Sequence, residues 1–113
     1  MIYDKARELA ELLKNSDEYK SYTSLKEAAT ANDTTKTLIK EYHQLQFRAQ
    51  SAAMSGQKDD ATMERLQKVG EILQLNREAS EFLIAEYRLN IMLSDVYKIL
   101  AEAIDIDLGM LEE

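Results

Sequence analysis

Phe82-Leu83-Ile84-Ala85-Glu86-Tyr87-Arg88-Leu89-Asn90-Ile91-Met92-Leu93 is the stretch that decides the architecture. It has the helical repeat, yet its large apolar groups point to nearly every side of the cylinder and not to a single stripe. A helix that is apolar all round has to be covered all round. The pattern extends from residue 78 to residue 106, which at about 1.5 Å per residue makes a rod roughly 45 Å long. A compact domain of this size has a radius of gyration of only about 13 Å. One chain cannot wrap such a rod, so a second copy is expected to cover part of it. Phe82, Leu89, Leu93 and Val96 suit the intramolecular core, which leaves Ile84, Tyr87 and Ile91 as the expected dimer face.

The rest of the chain agrees with an all-α fold of about five helices in a single domain over residues 1–113. No apolar pattern alternates with period two for long enough to make a strand. Ile2, Ala6, Leu9 and Leu13 give a short amphipathic first helix, and Ser16, followed by Asp17 and Glu18, is a start signal for the second. That helix runs on Tyr19, Tyr22, Leu25, Ala28 and Ala29, until Asn32-Asp33-Thr34-Thr35 interrupts the pattern and offers another cap. The third helix carries the seam Leu38, Tyr42, Leu45, Ala49 and Ala52, widened by Ile39 and Ala53. Ser55-Gly56 ends it, because glycine takes the left-handed conformation after a helix at little cost. Asp59-Asp60 restarts a fourth helix lined by Met63, Leu66, Val69, Ile72 and Leu73. A connection this short implies a central antiparallel hairpin of the third and fourth helices. Periodicity leaves open whether Asn76 caps the long C-terminal helix or lies in one continuous bent rod. The acidic tail at residues 106–113 is expected to fray.

Composition narrows the chemistry. The chain has no proline, cysteine or tryptophan. Without proline the commonest helix breaker is absent, and without cysteine there is no disulfide, thiolate metal site or cysteine-ligated cluster. There is neither a basic segment leading into an apolar run at Met1-Ile2-Tyr3-Asp4 nor a stretch approaching 18 uninterrupted apolar residues, so a cytoplasmic protein with no membrane contact is expected. Residues 1–56 carry eight acidic and eight basic side chains, whereas residues 57–113 carry thirteen and six, so the net charge of −7 lies wholly in the second half. That balance works against sequence-independent binding to phosphate backbones, and nucleic acid is not the expected partner.

No cluster has catalytic or metal-site spacing, and neither an enzyme nor a cofactor is expected. His43 is the sole histidine, and its helical neighbours Ile39, Lys40, Gln46 and Phe47 include no carboxylate. No Glu-x-x-His pair is present for a carboxylate-bridged metal centre. Asp105-Ile106-Asp107-Leu108-Gly109 places glycine fifth where a calcium loop needs it sixth. Glu78, Glu81 and Glu86, with Arg77 and Arg88 beside them, make a solvated, partly paired surface. Lys36, Lys40, Gln44 and Arg48 give the hairpin a polar, amide-bearing side that suits docking to another protein, with RNA or the ribosome as the alternative partner. Gly70 costs roughly 1 kcal/mol against alanine inside a helix, for which a close helix crossing is the expected reason.

One more signal lies in the order of many helical positions. Ala6, Leu9, Leu13, Ser16, Glu18 and Tyr19, then Leu38, Tyr42, Gln46 and Gly56, then Asn76, Phe82, Ala85, Glu86, Leu89 and Leu93 resemble the bacterial YlbF/YmcA family, most closely its YheA-like branch. The resemblance covers nearly the whole chain and implies a small all-α fold that associates as a dimer or higher oligomer through long helices. It also implies a regulator: YlbF and YmcA are associated with competence, sporulation and biofilm formation, acting with YaaT on messenger RNA processing by ribonuclease Y. In that complex cysteines are tied to iron–sulfur clusters. This sequence has none, so the cluster-linked role does not carry over.

Overall fold

Side-chain caps set the helix boundaries. The computed structural model describes residues 1–104, which form α1 (Ile2–Lys14), α2 (Asp17–Thr30), α3 (Asp33–Met54), α4 (Asp60–Gln74) and α5 (Arg77–Ile104). Ser16, Asn32, Asp59 and Asn76 each accept a hydrogen bond from the backbone N–H three residues on, at 3.1–3.2 Å. Each bond satisfies a donor that the first helical turn leaves unpaired, a contribution of about 1 kcal/mol. Asn76 therefore separates α4 from α5, and α5 begins at Arg77, one residue before the apolar pattern does. The tail at 106–113 and the segment Asp105–Gly109 lie outside the described residues.

Gly56 has φ +70°, and the end of α3 closes through Gln57 N–H to Ala52 C=O at 2.9 Å and Gly56 N–H to Ala53 C=O at 3.2 Å. This left-handed stop turns the chain back on itself. Glu41 meets Arg65, Tyr42 lies against Gly70, and Thr35 bonds Asn76. From Thr35 to Glu41 to Arg48 along α3, the residues met run back from Asn76, just past α4, to Arg65 and then to Ala61 and Thr62, so the hairpin is antiparallel as expected. Asn76 uses both ends of its amide: Oδ1 caps α5 while Nδ2 donates to the buried Thr35 Oγ1 at 3.2 Å.

The α3–α4 hairpin packs beside an α2–α5 pair, and Ala29, Ile39, Leu45, Val69, Leu73, Ala79 and Phe82 meet between them. Phe82 stacks at a tilt on Tyr22, with ring centroids 5.6 Å apart. In α5, Phe82 and Leu89 are buried as expected, while Leu93 and Val96 are only half-buried. The radius of gyration is 17.0 Å and the principal extents are 46 × 37 × 16 Å. Against about 13 Å for a compact chain of this length, the shape is a thin slab. No residue of α1 is buried: Leu9 and Leu13 are partly covered, and Ile2 and Leu12 are open to water.

Gly70 corrects one expectation. A Cβ built there would stand 3.8 Å from Tyr42 Cε1, an ordinary van der Waals contact. The crossing therefore has room for a methyl group and does not require glycine. Gly70→Ala is expected to stabilise the fold by about 0.5–1 kcal/mol, since alanine loses less backbone entropy in a helix. Urea denaturation checks this; a lower midpoint would mean that Tyr42 cannot accommodate the methyl.

Candidate docking surface

The exposed face of α5 is built by the helical repeat itself. Ile84, Tyr87 and Ile91 are three and four residues apart, which sets them within about 60° of one another around the helix. They are 51, 66 and 43% exposed, while Phe82, Ala85 and Leu89 on the other side are buried. Among the described residues the outer strip is thus apolar surface with only partial cover.

Ile84 and Ile91 also edge a groove of about 730 Å³ between α2 and α5. Leu25, Ala85 and Met92 line it, and so do charged side chains from both helices, Asp17 and Glu18 from α2 and Glu81, Arg88 and Asp95 from α5. Tyr87 does not line this groove. The α2 wall is not apparent from any spacing along α5, because it is brought there by tertiary packing.

Lys36, Lys40, Gln44 and Arg48 are all exposed on α3. None of them lines the α2–α5 groove; Gln44 and Arg48 face a cleft of about 430 Å³ against α4. In that cleft Arg65 donates from Nε to Glu41 Oε1 at 2.7 Å and from a terminal nitrogen to Glu41 Oε2 at 3.2 Å. The paired guanidinium holds the Glu41 carboxyl below its usual range, and Glu41 in turn raises Arg65. The two expected surfaces, the apolar strip of α5 and the polar strip of α3, are therefore separate.

His43 has a partner that spacing along its own helix does not reveal. Its Nε2 donates to Glu86 Oε1 at 2.8 Å across the α3–α5 contact, with the histidine side chain 40% and the glutamate 21% exposed. The Glu86 hydrogen bond raises the imidazole above its ordinary value near 6.5, opposed by partial burial and by Lys26 on α2. A folded-state value above the unfolded one means that the stabilisation is complete below about pH 6.5 and is lost as pH rises through the folded value. Solvent screening at this exposure keeps it under about 1 kcal/mol. Between pH 6 and 8 the thermal midpoint is therefore expected to fall by roughly 2–4 °C, and this slope is expected to vanish in His43→Gln. A slope that persists in the variant would place its source elsewhere.

Among the described residues no group of three or more His, Cys, Asp or Glu side chains could hold a metal ion. No described helix is long and apolar enough to cross a membrane.

The family model described as control of competence regulator ComK, YlbF/YmcA, matches residues 2–105. The chain belongs to the YlbF/YmcA family. Relatives of this YlbF/YmcA chain include a UPF0342 protein of Halothermothrix orenii, 36% identical over 106 residues that span 93% of this chain and 90% of the relative. A UPF0342 protein of Symbiobacterium thermophilum is 35% identical over 108 residues, 95% of this chain and 96% of the relative. Among solved structures, a protein of unknown function (DUF964) from Bacillus stearothermophilus has a TM-score of 0.75 at 18% identity, with 92% of each chain covered. Bacillus subtilis RicA, solved in complex with RicF, has a TM-score of 0.60 at 17% identity, with 92% of this YlbF/YmcA chain and 93% of the other covered. At those identities the two structures show a shared fold.

Proposed function

We propose that this YlbF/YmcA-family chain is a non-enzymatic cytoplasmic regulator that acts by docking to other proteins, and that it works as a homodimer or higher oligomer joined along α5. The observation that carries the reading is the uncovered strip of Ile84, Tyr87 and Ile91 on a helix whose opposite side forms the core. Three of the nine buried apolar side chains among the described residues are alanines, a small core for one chain to fold around. The family description is regulatory, and RicA, which shares the fold, was solved in complex with RicF. By the same likeness, messenger RNA processing machinery is the proposed setting. Lys36, Lys40, Gln44 and Arg48 are assigned to partner docking.

Affinity capture from the native bacterium with mass spectrometry tests the reading. Specific protein partners are expected, with reduced recovery in a Lys36→Glu, Lys40→Glu double variant. The alternative, an RNA- or ribosome-associated factor, is checked by fluorescence anisotropy with a labelled unstructured RNA. Three cations spread along α3 release few counterions, so no binding tighter than roughly 10 μM is expected at about 150 mM salt. Submicromolar RNA binding that disappears in the double variant would replace the adaptor with the RNA factor.

A further inference from the structure

The α2–α5 groove combines an apolar floor with a mostly acidic rim. Leu25, Ala85 and Met92 form the floor, while Asp17, Glu18, Glu81 and Asp95 stand around it against a single cation, Arg88. Glu81 is held by Arg77 at 3.1 Å. Among the described residues no Lys or Arg lies within salt-bridge distance of Asp17, Glu18 or Asp95, and residues 105–113 contain neither. Asp17 and Glu18 serve the first turn of α2, where the helix dipole favours them. Asp95 is mid-helix and has no such role. Glu81 and Asp95 are fourteen residues apart on α5, so acidic groups bracket roughly 21 Å of groove, about four helical turns.

We infer that this groove docks a basic amphipathic helix from another protein, its apolar side on Leu25 and Met92 and its Lys or Arg side chains against the carboxylate rim. The inference rests on the adaptor reading above and names the chemistry of the partner. A helix laid in an apolar groove buries one stripe, and opposite charge along the edges fixes its orientation and speeds encounter. A second copy of this chain fits the groove poorly. Among the described helices α3 alone has more cations than carboxylates, Lys36, Lys40 and Arg48 against Asp33 and Glu41; its Ile39 and Leu45 are already in the core, and its exposed large apolar side chains, Phe47 and Met54, are seven residues apart and make no continuous stripe.

The test uses the full chain and a fluorescein-labelled peptide of about 18 residues, with leucines at i, i+3, i+4 and i+7 spacing and lysines elsewhere. A counterpart with glutamates in place of the lysines is the control. Binding of the lysine peptide alone is expected, weakening as salt rises. Glu81→Lys with Asp95→Lys is expected to weaken it about tenfold, whereas Glu64→Lys with Glu71→Lys, an equal charge change on α4, is expected to leave it within about twofold. Should the reversal disturb α5 by circular dichroism, Glu81→Gln with Asp95→Asn is read instead, with an intermediate loss expected. Equal weakening by the α4 pair would reduce the effect to net charge and overturn the inference. So would binding of the glutamate peptide, or no binding at all. The adaptor reading fails separately, by an absence of captured partners, and stands if those partners persist in the groove variant.

Discussion

In light scattering coupled to gel filtration the chain is expected to run at about twice its 13.0 kDa mass at micromolar concentration, and Ile84→Glu is expected to return it to a monomer. Ile84 is half-exposed in the single chain, so a glutamate there meets water and leaves the helix intact. In a dimer the same carboxylate would be desolvated without a partner, at a cost of about 3–5 kcal/mol for each buried unpaired charge. In the proposed dimer the strip would meet its own copy across a two-fold axis, so both subunits would carry that cost. One such charge would weaken the dissociation constant by roughly two to four orders of magnitude. Ile84 also edges the groove, so Tyr87→Glu, which touches only the outer strip, is the companion variant. If both retain the dimer mass with unchanged helicity, the interface lies on another face, such as the apolar cleft where Ile2, Ala6 and Leu9 approach Leu100.

Phe82→Ala is expected to cost about 3–5 kcal/mol, the usual penalty for emptying a phenylalanine site in a packed core. Phe82 is 1% exposed and is the largest side chain buried so completely. Its neighbours cannot fill the gap cheaply. Ala29 and Ala79 have no length to extend, and Tyr22 is half-buried at the core's margin. Total stability of a small domain is about 5–15 kcal/mol, so the loss is a large fraction and corresponds to a fall of roughly 12–20 °C in Tm. Urea unfolding at matched protein concentration is the appropriate measurement, because any self-association adds a concentration term. A loss below about 1 kcal/mol would mean that the core is centred elsewhere.

The fold was legible because its signals are local. Ser16, Asn32, Asp59 and Asn76 act within three residues, Gly56 acts through its own φ, and the apolar repeat of α5 marks its buried side. The exposed strip followed from that repeat, since what is apolar and not in the core has to face outward. Features joining distant segments left no such trace. His43 meets Glu86 across 43 positions, and Asp17 and Glu18 look along the chain like first-turn acids until α2 is laid against α5. The slack around Gly70 depends on where the Tyr42 ring comes to rest, which no spacing encodes. The α1 stripe gave the helix correctly, but an amphipathic pattern signals a need for cover without supplying it.

That unmet need has a dynamic consequence. A helix of thirteen residues is near the length at which isolated helices are marginal in water, and α1 buries no side chain that would hold it down. Its local opening involves little of the core and precedes global unfolding. In native-state hydrogen exchange the α1 amides should therefore equilibrate with solvent while those around Val69, Leu73 and Phe82 are still protected. On the exchange timescale the chain is expected to behave as a four-helix body carrying a segment that winds and unwinds on its own clock.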